Sequence, residues 1–253
     1  MTEEPPSTSL SDKTILVTRP AGREYNLCQL IEQAGANCFH YPVINIKALP
    51  PLTQQQLNLV HQCDMVIFIS KTAVEHSSRY FSELPGNVCV VSIGSKTSQA
   101  LHQQDLHVEI EAPEHNTESL LKTHEFQQPQ IQNRKVLIFR GVGGRALLGD
   151  TLQSRGARVH YIETYTREIT AQLPLSKQQI NSLDAITISS NEGLNNFVSL
   201  NGELDKLTEI PIVLPSERSM AFAKQYGFQN PVLAKNATDE VMLEALINYF
   251  SNH

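Results

Sequence analysis

The chain carries one pattern twice, about 121 residues apart, and a duplicated unit restricts the fold more than any single motif does. Ile15-Leu16-Val17-Thr18-Arg19 is followed, sixteen residues after Arg19, by Gly35-Ala36. Leu137-Ile138-Phe139-Arg140 is followed, sixteen residues after Arg140, by Gly156-Ala157. Each stretch reads as a buried strand, a helix, a glycine where a helix ends in a left-handed residue, and a second strand. The register continues through Ile67-Phe68-Ile69-Ser70 with Thr187-Ile188-Ser189-Ser190, and Ile93-Gly94-Ser95-Lys96 with Leu214-Pro215-Ser216-Glu217. Asn116-Thr117-Glu118 matches Ala237-Thr238-Asp239, an N-cap pattern ahead of Leu120-Leu121 and of Met242-Leu243.

Short apolar strands alternating with helical segments predict βαβ units, hence parallel sheets with helices on both faces. Each half holds about five such strands, which suits a flavodoxin-like order. The repeat need not coincide with the spatial domain. Longer strands are expected at Cys38–Ile46 and Arg158–Glu168, at equivalent points of the two repeats, and both could run from one domain into the other.

Composition narrows the function. No apolar run approaches the ~20 residues of a membrane span. The first residues, Met1-Thr2-Glu3-Glu4-Pro5-Pro6, are acidic and proline-rich, the opposite of a signal peptide, so a disordered lead-in over residues 1–12 and a cytoplasmic location are expected. Cys28, Cys38, Cys63 and Cys89 form no C-x-x-C pair and are read as reduced core thiols. Nine histidines show no ligand spacing, so no metal is expected. A net charge of −6 without a basic stripe argues against nucleic acid. An anionic ligand would therefore need locally placed cations and backbone amides.

In open α/β sheets ligands sit beyond the carboxyl ends of the strands. Those positions are Thr18-Arg19, Ser70-Lys71-Thr72, Gly94-Ser95-Lys96-Thr97, Arg140-Gly141, Ser189-Ser190-Asn191 and Ser216-Glu217-Arg218. Any one serine there can be a plain N-cap, worth ~1 kcal/mol. Caps alone do not call for Arg or Lys at five of six strand ends, which favours an anion-recognising site. Gly141-Val142-Gly143-Gly144-Arg145-Ala146 also fits the dinucleotide fingerprint, with Glu163 about 20 residues on. Arg145 within it and Pro20-Ala21-Gly22-Arg23 in the other repeat weaken that match, and a glycine-rich turn holding a carboxylate is the alternative.

Thr18-Arg19-Pro20 resembles the opening of uroporphyrinogen-III synthases. So do Arg140-Gly141-x-Gly143-Gly144-Arg145 with Leu147-Leu148-x-x-x-Leu152-x-x-x-Gly156-Ala157, Ile93-Gly94-x-x-Thr97, and Glu163-Thr164-Tyr165-Thr166-Arg167. The resemblance runs from about Thr14 to Phe250. It departs at Pro215-Ser216-Glu217-Arg218, where either Ser216 or Ser219 stands for a family threonine.

The resemblance implies two similar flavodoxin-like domains: residues 1–44 with 168–253, and an inserted 50–160, joined by a two-segment β linker, 45–49 and 161–167. It implies closure of hydroxymethylbilane to uroporphyrinogen III, with ring D inverted and water lost, in a cleft between the domains and without a cofactor. Holding the two reacting ends in place can supply ~7–11 kcal/mol. Tyr165 becomes the candidate acid, since a phenol keeps its proton at neutral pH, against the alternative of a strand tyrosine buried in the core. Arg19, Arg140 and Arg145 become candidates for carboxylates, with Ser70, Lys71, Ser95, Thr97, Gly141, Gly143, Gly144, Ser190, Asn191, Ser216 and Ser219. The expected partner is the tetrapyrrole alone, with at most a transient contact to the bilane-producing enzyme, and the expected state is a monomer. A binding protein without catalysis, and a nucleotide-dependent enzyme using the Gly141 loop, remain open.

Overall fold

Strands with apolar residues at successive positions are stable only when both faces are covered, and the computed structural model arranges them so. It describes residues 10–202 and 205–252. The chain runs β1 (Thr14–Val17), α1 (Tyr25–Gln33), β2 (Asn37–His40), β3 (Ile44–Ala48), α2 (Gln54–Val60), β4 (Met65–Phe68) and α3 (Lys71–Ser77). It continues through β5 (Cys89–Ser92), α4 (Ser95–His102), β6 (Ile110–Glu111), α5 (Thr117–Leu120), β7 (Lys135–Gly141), α6 (Leu147–Ser154) and β8 (Arg158–Ile169). The last third holds α7 (Lys177–Asn181), β9 (Ala185–Thr187), α8 (Asn191–Asn201), β10 (Ile212–Leu214), α9 (Glu217–Gln225), β11 (Pro231–Leu233) and α10 (Asp239–Ser251). Two compact units result, Met1–Ile46 with Glu168–His253 and Lys47–Arg167.

The first unit contains a parallel sheet in the order β11-β10-β9-β1-β2. Strand alternation splits its core in two. Ile15, Val17, Ala185 and Val213 pack with Leu27 and Ile31 of α1 and Met242 and Leu246 of α10. Leu16, Ile186, Ile212 and Leu214 pack with Leu194 and Phe197 of α8 and Ala223 of α9. Leu10 joins the first cluster at 1% exposure, and its N–H donates to the Ala34 carbonyl at 3.0 Å. Of the expected lead-in over 1–12, Leu10 is instead packed in the core, because an apolar side chain has a core to enter there; residues 1–9 lie outside the described residues.

The second sheet has the order β3-β8-β7-β4-β5-β6. Met65, Ile67, Val91, Val136 and Ile138 pack with Leu120, Phe126, Leu148 and Leu152. On the alternate positions Phe68 stacks on Phe139 at 5.1 Å and meets Phe81 edge-on at 5.4 Å. β3 and β8 carry the chain across the division between the units.

Two expectations are revised here and one is met. Cys38–Ile46 is two strands, because Pro42 has no N–H for a ladder and separates β2 from β3. The long strand expected at Arg158–Glu168 is β8, which stays paired to β7 as far as Tyr165. Cys28 of α1 and Cys38 of β2 form a disulfide, since the helix lies beside the strand and brings their Cα atoms to 5.3 Å. Cys63 and Cys89 are free thiols, and burial pushes both up, Cys63 to about 11. Among the described residues no helix is long and apolar enough to cross a membrane.

Each sheet is fastened at its amino edge by an aspartate. Asp184, before β9, accepts from the Thr14 N–H at 2.8 Å and donates its own N–H to the Thr14 carbonyl at 2.9 Å. Asp64, before β4, does the same with Lys135, at 2.7 and 2.9 Å. These close a strand pair where the ladder would otherwise fray. We expect Asp64→Ala and Asp184→Ala each to cost about 1.5–3 kcal/mol in denaturant unfolding, the range for a hydrogen bond to a charged group. Asp→Asn, which keeps an acceptor, should cost clearly less at both positions.

Candidate functional site

The strand-end serines cap helices. Ser70, Ser190 and Ser216 accept from the Ala73, Gly193 and Ser219 amides at 3.0, 3.0 and 3.2 Å, at the starts of α3, α8 and α9. In the first unit the hydroxyls of Ser216 and Ser219 lie 2.9 Å apart, and buried Ser219 donates to Asn191 Oδ1 at 2.7 Å. Ser216, Ser219 and Asn191 thus form one network. Thr97 is buried on α4, whereas Ser95 and Lys71 are exposed. Lys71 pairs with Glu75 at 3.7 Å.

A cavity of about 240 Å³ opens at the carboxyl ends of β4, β5 and β7 in the second unit. Ile69, Ile93, Ile138 and Leu148 line it with apolar surface, and His115, Asn116, Arg140 and Arg145 supply polar groups. Arg140 is 8% exposed; its Nε donates to Glu163 Oε1 at 3.3 Å, and its guanidinium lies 4.1 Å from the Tyr161 ring centre. Arg145, by contrast, reaches outward and donates to Glu118 Oε1 at 3.1 Å.

Two glycines of the glycine-rich loop have local reasons to be there. A Cβ on Gly141 would lie 2.6 Å from the Tyr165 ring, and Gly143 has a φ of +77°. At Gly144 the nearest atoms to an added Cβ belong to the Arg140 side chain, at 3.5 Å, an ordinary contact. Glu163, which would bind a ribose in the dinucleotide reading, is taken by Arg140. Packing and backbone geometry account for Gly141 and Gly143, and Glu163 is already paired, so none of these calls for a nucleotide.

Tyr165 is 1% exposed, with its ring against Gly141 and stacked on His76 at 5.3 Å. Its hydroxyl lies 3.3 Å from Ser70 Oγ and accepts from Arg167 Nη2 at 3.4 Å. The ring is a core ring, as the alternative reading has it, with a polar end held by two groups. In the first unit Arg19 forms an ion pair with Asp239 and donates to the Ala237 carbonyl at 2.7 Å. Asn26 holds the other oxygen of Asp239 at 2.7 Å.

Residues 26–244 match the family model described as uroporphyrinogen-III synthase HemD. The chain belongs to the uroporphyrinogen-III synthase family. A synthase of Escherichia coli K12 is 29% identical over 92% of this chain and 99% of its own length. One of Proteus mirabilis is 36% identical over 61% of this chain and 80% of its own. The mixed α/β fold with parallel sheets is that of two solved synthase structures. One from Thermus thermophilus has a TM-score of 0.61 at 15% identity, covering 95% of this chain and 100% of that one. The Helicobacter pylori structure has a TM-score of 0.61 at 14% identity, covering 94% and 99%.

In this member of the synthase family, several groups around the candidate site were not singled out from sequence. Arg167 follows Tyr165 by two positions on β8, so strand alternation could have grouped these two, whereas the register shift between Glu163 and Tyr165 separates them from Tyr161 and Glu163. His76 offers no such signal, because its approach to Tyr165 depends on how α3 lies over the sheet. Glu118 was legible through the repeat, 121 residues before Asp239.

The glycine geometry predicts a ranking. Gly141→Ala should cost most, about 1–3 kcal/mol, because overpacking must displace a buried ring. Gly143→Ala should cost about 1 kcal/mol for its left-handed backbone. Gly144→Ala should be near neutral. Thermal unfolding of the three variants checks the order, and an inert Gly141→Ala would contradict the contact with Tyr165.

Proposed function

We propose that this chain closes hydroxymethylbilane to uroporphyrinogen III, inverting ring D and releasing water. Family membership carries the reading. The cavity of the second unit suits it, since an apolar wall takes a pyrrole and cations at its rim take carboxylate arms. Loss of the ring A hydroxyl as water leaves an electrophilic azafulvene. The substituted carbon of ring D attacks it, and the spiro intermediate fragments and recloses with ring D turned over. Closure without ring inversion competes in solution, so the protein's main task is to hold the two ends of the chain.

In this scheme Tyr165 donates its proton to the departing hydroxyl, and Ser70 and Arg167 yield the phenol to the substrate. Arg167 lies where it would meet the phenolate left behind. Arg145 takes a carboxylate, with further contacts from the strand-end residues Lys71, Ser95 and Asn191. The expected cleft between domains 1–44 with 168–253 and 50–160 belongs to the same proposal. So does a duplicated flavodoxin-like origin: under the 121-residue offset the orders β2-β1-β9-β10-β11 and β8-β7-β4-β5-β6 agree strand for strand. The paired Asp64 and Asp184 bridges point the same way. A cytoplasmic monomer is the state in which we expect the reaction to run.

The direct test couples the protein to a bilane-producing enzyme and separates type I from type III product. An excess of type III is expected, and type I alone would overturn the reading. Tyr165→Phe should leave thermal stability within ~1 kcal/mol, the worth of one hydrogen bond. Its turnover should fall by up to about 10²-fold, the lower end for a positioned acid. Arg145→Ala should instead raise KM more than it lowers kcat. Full turnover by Tyr165→Phe would remove the acid role and leave positioning alone.

A further inference from the structure

Each unit sets an acid at the start of a helix against an arginine that follows the first strand of its repeat. Asp239 is the first residue of α10 and faces Arg19; Glu118 lies in the first turn of α5 and faces Arg145. The two acids are 121 residues apart, the offset of the repeat. Their settings differ. Arg19 and Asp239 have side chains 13% and 14% exposed, and both are tied further, to Ala237 and Asn26. That pair fastens α10 to the end of β1. Arg145 and Glu118 are 71% and 50% exposed and joined by a single hydrogen bond at the cavity rim. Arg140, the other arginine of the cavity, is committed to Glu163 and Tyr161.

We propose that Glu118 is an internal stand-in for a substrate carboxylate. It occupies Arg145 in the free protein and is exchanged for one carboxylate when the tetrapyrrole binds. The proposal rests on the substrate reading above and adds a specificity element to it. An ion pair this exposed is held weakly, so exchange of one carboxylate for another at the same guanidinium is easy. A tethered competitor nevertheless has a high local concentration. A small monocarboxylate must displace Glu118 by that one contact, whereas a substrate with eight carboxylates is anchored elsewhere as well. Glu118 thereby raises the threshold for small acids and orients Arg145 for the intended ligand.

The test is a double-mutant cycle on binding. Uroporphyrin I, a stable fluorescent tetrapyrrole with eight carboxylates, is titrated into the unmodified protein, Glu118→Gln, Arg145→Ala and the double variant. Removing the competitor should lower Kd by about 2- to 5-fold, the upper range for an exposed pair. That gain should vanish when Arg145→Ala is the background. An unchanged or raised Kd in Glu118→Gln overturns the proposal. So does an equal gain in both backgrounds, which would be general charge repulsion, and so does a porphyrin that binds none of the four. Bilane turnover by the unmodified protein is measured in parallel. Its failure would remove the assigned reaction, while the binding cycle would still decide the exchange at Arg145.

Discussion

A strand covered on both faces gives its backbone to its neighbours and its side chains to the helices, and this leaves almost no room for chemistry along its length. In both sheets the central strands are apolar at nearly every position, from Ile15-Leu16-Val17 to Val136-Leu137-Ile138-Phe139. Polar groups are therefore driven to the strand ends. At the amino ends they fasten the sheet, as Asp64 and Asp184 do. At the carboxyl ends they meet helix N-termini, where an amide must be capped whether or not a ligand is present. The serines at 70, 190 and 216 answer that need first, and any ligand must be recognised by what remains.

That division also explains what the sequence could disclose. Strand alternation and the 121-residue repeat are local and periodic, so the strands and the helix starts could be read directly. Pro42 was visible as well, and weighing its missing N–H would have divided Cys38–Ile46 into the two strands observed. Leu10 was hidden by its company: a single apolar residue beside an acidic, proline-rich stretch looks dispensable until a core is there to receive it. The pairing of Cys28 with Cys38 was hidden for another reason. It depends on α1 lying beside β2, and spacing along the chain does not report that.

The arginines show the same limit at the level of function. Arg19, Arg140 and Arg145 look alike as cations after a strand, and each could be assigned to a carboxylate. Structure separates them by their partners. Arg19 has a partly buried acid and a carbonyl, Arg140 has an acid and an aromatic face, and Arg145 has one exposed acid. Charge in a sequence counts donors, whereas availability depends on what has already claimed them.

Tyr165 joins these threads. Its ring is fixed on one side by the absence of a side chain at Gly141 and on another by His76. Its hydroxyl is met by Ser70 and Arg167 at 3.3 and 3.4 Å, beyond the usual distance for strong hydrogen bonds of their kinds. A group fixed through its body and weakly held at its tip keeps its position without committing its proton. Stability asks for the first property and the proposed acid role for the second, and burial of the ring is compatible with both. Gly141 matters to both, since a methyl group there would lie 2.6 Å from the ring and displace it, and the hydroxyl with it.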